Sequence, residues 1–98
     1  MWILQTGQED GKKRRTFRVP QGAVKTFGRA PRAYFIVHTV MVSRLHCRVA
    51  ATSPDHLEVT DLNSTNGTFV NGQRIDRAEM APGDRLTIGR LELTVTRI

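Results

Sequence analysis

Apolar and polar residues in this chain alternate in short bursts, and nowhere at helical spacing. The runs "WILQT" (Trp2–Thr6), "TFRV" (Thr16–Val19), "AVKTFGR" (Ala23–Arg29), "CRVAAT" (Cys47–Thr52), "LEVTDL" (Leu57–Leu62), "GTFV" (Gly67–Val70), "QRI" (Gln73–Ile75), "RLTIG" (Arg85–Gly89) and "RLELTVTRI" (Arg90–Ile98) each read as β-strand. In a strand successive side chains point to opposite faces. Leu57, Val59 and Asp61 therefore share one face, and Glu58, Thr60 and Leu62 the other. Leu91, Leu93, Val95 and Arg97 line up in the same way in the last run. Turn signals separate the runs: "SPDH", "APGD", and above all Asn71-Gly72, the strongest short hairpin signal. Pro20 closes the second run because it cannot donate to a ladder. Ala30–Val42 is less regular, and Ala78–Met80 is the only helix-compatible scrap. Short strands spaced by roughly 8–12 residues predict an all-β sandwich or barrel.

Composition narrows the class. The chain has 98 residues, 39% of them hydrophobic, which suits one modest core. It begins and ends on strands, so residues 1–98 read as a single domain, trimmed from a larger protein or compact in itself. With Cys47 as the single cysteine, no disulfide can form within the chain, which suits a reducing cytoplasm. No apolar run approaches the roughly 18 residues of a membrane span, and "MWILQTGQEDG" lacks the basic start of a secretory signal. The formal charge is +6, from 15 basic and 9 acidic side chains. It favours anionic partners: nucleic acid, acidic membrane, phosphopeptide or acidic peptide. The densest basic run, "KKRR" (Lys12–Arg15), reads as a solvated hairpin tip.

The segment "DLNSTNGTFVNG" (Asp61–Gly72) holds three asparagines, two threonines, a serine and two glycines. Turn-making explains Asn71-Gly72 and Asn63. It strains to explain Ser64, Thr65, Asn66 and Gly67 in succession. Two further fragments precede this one: "GR" (Gly28-Arg29) at a strand end and "SRLH" (Ser43–His46) before a strand. Any one of the three is weak. In this order, with "NGQRI" and "PGDRLTIG" downstream, they resemble the forkhead-associated (FHA) domain over nearly the whole chain, from about Phe17 to Val95.

The resemblance implies a β-sandwich of about eleven strands with binding loops at one end, and a ligand of phosphothreonine in an extended peptide. Arg29, Ser43, Arg44 and Thr65 match the family's phosphate-contacting positions. Asn66 matches the asparagine that bonds the peptide backbone. His46 matches a loop-bracing histidine, and Gly28 and Gly67 match backbone-shaping glycines. The side chains before Ser43, here Met41 and Val42, often help to choose the residue a few places after the phosphothreonine. Met41 would then suit an apolar residue there, whereas the net charge would suit acidic flanks. The implied partner is a protein phosphorylated by a Ser/Thr kinase, met by a monomer, with no cofactor.

The chemistry fits these assignments. A phosphothreonine carries about −1.5 to −2 charges and three acceptor oxygens. A guanidinium is planar, permanently charged and grips two oxygens at once. An asparagine amide pairs with both a peptide N–H and a C=O. Plainer readings stand beside each. Arg29 and Arg44 are also ordinary surface charges, Ser43 and Asn66 ordinary turn residues, and Thr65 a support. His46 is the reverse case, a buried histidine bonding loop backbone. The sequence departs from the family between "GR" and Ser43. "APRAYFIVHTVMV" contains no acid, and Arg32 and His38 add positive charge. Its "YFIV" is expected to plug the core, with Tyr34 its exposed member.

Other functions fare worse. Ser43, His46 and Asp61 have the letters of a hydrolase triad, but no "GxSxG" accompanies them, so no enzyme is expected. His38, His46, His56 and Cys47 lack metal-ligand spacing. A nucleic-acid-binding small basic β domain is the serious alternative, at pI about 10.7. Aromatic residues are only 6%, however, and most read as core, so no stacking platform is visible.

Overall fold

A computed structural model describes residues 1–7 and 14–98. Among these residues eleven strands form two sheets: β1 (Trp2–Thr6), β2 (Thr16–Val19), β3 (Val24–Gly28), β4 (Phe35–Ile36), β5 (Cys47–Ser53), β6 (His56–Asp61), β7 (Thr68–Val70), β8 (Gln73–Ile75), β9 (Arg77–Met80), β10 (Arg85–Ile88) and β11 (Leu91–Arg97). One sheet runs β2-β1-β11-β10-β7-β8 and the other β4-β3-β5-β6-β9. All pairings are antiparallel except β3 with β4. The all-β sandwich expected from the strand spacing is the fold observed.

Period-2 patterning decides which face each strand buries. Leu57 and Val59 on β6 face inward, as do Leu93 and Val95 on β11, and all four are fully buried. They meet Trp2, Leu4, Phe27, Val49, Leu86 and Ile88 in one core. Phe17, Phe27 and Phe35 pack with ring centroids 4.9–5.1 Å apart, in the range of favourable aromatic pairs. Arg97, on the core face of β11 but at its exposed end, instead covers the Trp2 ring.

Two stretches that the pattern left open take strand form. Ala78–Met80 is strand, not helix: β9 pairs with β6, placing Met80 opposite Leu57 and burying it. Three good helix formers cannot repay a helix nucleus, whereas β6 offers a ready edge. The irregular Ala30–Val42 stretch contains the two-residue β4, parallel to β3. In it Val37 is buried, Phe35 and Ile36 are half-buried, and Tyr34 is exposed. Of the basic run, Lys12 and Lys13 lie outside the described residues. Arg14 and Arg15 are exposed, and Arg15 donates to the Ile36 carbonyl at 3.0 Å.

Candidate functional site

Three segments meet at one end of the sandwich. The first is the end of β3. The Phe27 carbonyl accepts the His46 N–H at 2.8 Å, Arg29 N–H donates to the Ser43 carbonyl at 3.0 Å, and Ala30 N–H to the Arg44 carbonyl at 3.0 Å. This lays Gly28 flat on the 44–45 peptide. A Cβ at Gly28 would collide with the Arg44 carbonyl, so only glycine permits the approach that sets Arg29 beside Ser43.

The second segment, Met41–His46, is held by its histidine. His46 is fully buried. Its Nδ1 accepts the Ser43 backbone N–H at 3.0 Å. A backbone N–H can only donate, so that nitrogen carries no proton, and Nε2–H donates to the Gly67 carbonyl at 2.8 Å. One imidazole thus joins the second segment to the third.

The third segment is the polar loop, and much of its polarity is spent internally. Asp61 falls on the inner face of β6, as its alternation with Val59 requires. Its carboxylate accepts Ser64 N–H at 3.1 Å, Ser64 Oγ–H at 2.6 Å and Thr68 Oγ1–H at 2.7 Å. Ser64 Oγ in turn accepts Gly67 N–H at 3.0 Å. Burial pushes Asp61 toward the neutral acid, but the Ser64 and Thr68 hydrogen bonds together outweigh it and hold the group below its ordinary 3.8. Asn63 (φ 59°) and Gly67 (φ 92°) take left-handed backbone, turning the chain back into β7. Opposite Asp61 sits Cys47, whose thiol is driven strongly upward by burial and by the Asp61 charge, which leaves it inert.

Against this scaffold the remaining side chains are pinned by one end each. Arg29 Nε donates to the Val42 carbonyl at 3.0 Å, leaving both terminal amino groups without a partner among the described residues. Ser43 Oγ accepts the Thr65 N–H at 3.0 Å, and its own proton stays free to donate. Asn66 Nδ2 donates to the Met41 carbonyl at 3.0 Å, while its Oδ1 accepts nothing among the described residues. Arg29, Arg44, Thr65 and Asn66 are exposed, and Ser43 is half-buried. The fold thus brings together Gly28, Arg29, Ser43, His46, Thr65, Asn66 and Gly67. Arg44 joins them through its backbone, and its guanidinium forms no ion pair among the described residues.

The expectation for Val42 is overturned by burial. Its side chain is 1% exposed and belongs to the core, so it cannot touch a ligand. Met41 is half-buried, against the Gly89 turn. The exposed aliphatic of this loop is Val40, at 93%. Nothing in the alternation of a short irregular loop singled it out.

Comparison with known proteins agrees with this geometry. Residues 25–89, more than half of the chain, match the family model for the FHA domain. The chain is 42% identical over 93 residues to the ABC transporter ATP-binding/permease protein Rv1747 of Mycobacterium tuberculosis, covering 95% of this chain and 10% of the transporter. It is 35% identical over 71 residues to the glycogen accumulation regulator GarA of the same species, covering 72% of this chain and 43% of GarA. It therefore spans less than half the length of these relatives. A solved structure from a structural and functional analysis of phosphothreonine-dependent FHA domain interactions superposes with TM-score 0.85 at 31% identity, covering 99% of this chain and 96% of the other. The chain belongs to the forkhead-associated family, whose members are regulatory binding modules.

Proposed function

We propose that this chain binds phosphothreonine within an extended peptide of a partner protein, as a reader of Ser/Thr-kinase products. The observation that carries this reading is the convergence of Arg29, Ser43, Thr65 and Asn66, each tethered by a hydrogen bond from a different segment. The guanidinium of Arg29, already held through Nε, presents its two terminal amino groups as a preformed fork for phosphate oxygens. Ser43 Oγ–H supplies a neutral donor beside it, and Arg44 a second positive charge. Asn66 Oδ1 and its remaining amide hydrogen suit a peptide N–H and C=O, which holds an extended strand whatever its side chains. Pre-organisation of this kind lowers the ordering cost of binding.

The same bonds argue against catalysis. Both His46 nitrogens are engaged with backbone groups, and neither meets the Ser43 hydroxyl. Asp61 serves Ser64 and Thr68. Nucleic acid is disfavoured by the aromatics. Trp2, Phe17 and Phe27 are buried, and exposed Tyr34 carries the Lys25 ammonium over its ring at 3.5 Å. A cytoplasmic setting fits a kinase product and a reduced buried thiol, and no helix among the described residues is long and apolar enough to cross a membrane. We place the binding protein in action as a monomer. Exposed Val40, beside half-buried Met41 whose carbonyl holds Asn66, offers an apolar surface for a residue downstream of the phosphothreonine.

Calorimetry with a phosphothreonine peptide selected from a library, beside its unphosphorylated twin, tests the proposal. We expect a dissociation constant of about 1 μM, or roughly −8 kcal/mol, for the phosphorylated form. Arg29→Ala should cost about 2–5 kcal/mol and remove detectable binding. Arg29→Lys should not rescue it, because ammonium cannot form the fork. Normal binding by Arg29→Ala would overturn the assignment.

A further inference from the structure

The arginines of this molecule fall into two groups. Arg77, Arg85 and Arg97 each approach a carboxylate within 4.0 Å, those of Glu58, Glu92 and Asp55. Arg74 has no such partner among the described residues, although it lies against the polar loop. It lies on β8 opposite Phe69, and its side chain crosses the backbone of Gly67. A Cβ built on Gly67 would come within 2.9 Å of Arg74 Nε and 3.2 Å of its Cζ, so the guanidinium rests directly on the residue that follows Asn66. Arg74 is exposed, its side chain makes no hydrogen bond or ion pair among the described residues, and it stands two residues from Asp76, which also enters no ion pair among them. A charge positioned by packing, solvent-facing and left without a counter-charge is suited to one that arrives with a ligand.

A second arginine shares this rim. Gly89 turns the chain from β10 to β11, and a Cβ there would meet Met41 Cβ at 2.9 Å. The turn therefore abuts the residue whose carbonyl holds Asn66. The next residue, Arg90, is exposed and likewise outside every ion pair among the described residues. From Ser43 the rim passes through Thr65 and Asn66 to Gly67 beneath Arg74, with Arg90 in the turn beside Met41.

We propose that Arg74 is a specificity-determining residue that reads a second anionic side chain, carboxylate or phosphate, near the phosphothreonine in the bound peptide. This rests on the phosphothreonine reading above. The path from Thr65 to Gly67 spans at most about 7 Å, and an extended peptide advances about 3.3 Å per residue. The second anion therefore sits within roughly two residues of the phosphothreonine along the peptide. Arg74 needs no induced movement to meet it, because the guanidinium already lies against Gly67.

The test measures affinity of the full chain, by fluorescence anisotropy, for phosphothreonine peptides in an uncharged background. Glutamate, and in a parallel set a second phosphothreonine, is walked through the four positions on each side. The wild type should favour glutamate at one position by about threefold to fivefold, the range of an exposed ion pair, and the second phosphate there by roughly tenfold or more, since it carries more charge. Arg74→Gln should erase that preference while binding the uncharged-background phosphopeptide within about twofold of wild type; Arg74→Lys should restore much of it. Arg85→Gln, which removes an equal charge elsewhere, should leave the preference intact. Preference for phosphate but not glutamate would still support the site and define its ligand as a doubly phosphorylated peptide. A flat profile in the wild type, or an unchanged preference in Arg74→Gln, would overturn this inference alone. Absence of binding to every singly phosphorylated peptide would overturn the phosphothreonine reading and this one with it.

Discussion

Strand β7 is flanked by two Asn–Gly loops of nearly identical chemistry, and they behave differently. At Asn71-Gly72 both residues adopt left-handed backbone, φ 51° and 81°, as a tight hairpin turn requires. Both polar atoms of the Asn71 side chain are engaged there: Nδ2 donates to Asp84 at 3.1 Å and Oδ1 accepts the Arg85 N–H at 2.9 Å. At the other end, Asn66 reaches across to the Met41 carbonyl with one amide hydrogen and leaves its oxygen toward solvent. Each asparagine precedes a glycine with positive φ, but one amide completes a turn while the other is half-spent and exposed. An amide consumed by its own fold has nothing to offer a ligand. Incomplete satisfaction at a rigid rim, rather than polarity as such, distinguishes the candidate site.

The sharpest attack on this contrast removes the scaffold that creates the rim. Gly28→Ala drives a Cβ into the Arg44 carbonyl, and should destabilise the fold by about 3 kcal/mol or more, read by urea denaturation. Backbone collisions of this kind cannot be relieved by a rotamer change. His46→Ala should come next, at roughly 2–3 kcal/mol, because the Ser43 N–H and Gly67 carbonyl both lose a buried partner. Phosphopeptide affinity should fall with it only as far as the two loops drift apart.

The two asparagines then permit a direct exchange of effects. Asn66→Ala should weaken phosphopeptide binding by about 1–2 kcal/mol and barely shift the melting temperature. Asn71→Ala should lower stability by about 1 kcal/mol and leave affinity unchanged. Equal effects of both on either measurement would erase the distinction drawn between the loops.

The smallest expected effect concerns acid. Asp61 titrates below its ordinary 3.8 in the folded chain, so the unfolded chain binds its proton more readily. Its contribution is fully present above the unfolded value and is lost as pH falls through the folded one. Acid denaturation midpoints should therefore show a shallower low-pH limb in Asp61→Asn than in the wild type. An unchanged limb would mean that the Ser64 and Thr68 bonds do not hold the carboxylate ionised.

Strand positions were readable because β-structure repeats every two residues, and a run as short as "LEVTDL" already declares its buried face. The same rule sent Asp61 inward, but not what would meet it there. The weak points were short and irregular segments. Ala78–Met80 carries helix-forming residues, and only the open edge of β6 decides that they pair as a strand. Val42 and Val40 are chemically equal in the chain. The hydrogen bonds of the Thr39–Val42 turn bury one at 1% and expose the other at 93%. Arg74 is one arginine among many until its side chain is seen lying on Gly67.

The order "GR", "SRLH", "STNG" was enough by itself to name the family and to nominate its residues, because motif identity and strand period are local properties of the chain. Which side chains remain unsatisfied is not local. Arg29 and Val42, Ser43 and Thr65, and Met41 and Asn66 are separated by 13, 22 and 25 positions. Only closure of the two sheets sets these groups within hydrogen-bond reach, and only that closure determines which of their donors and acceptors are left for a ligand.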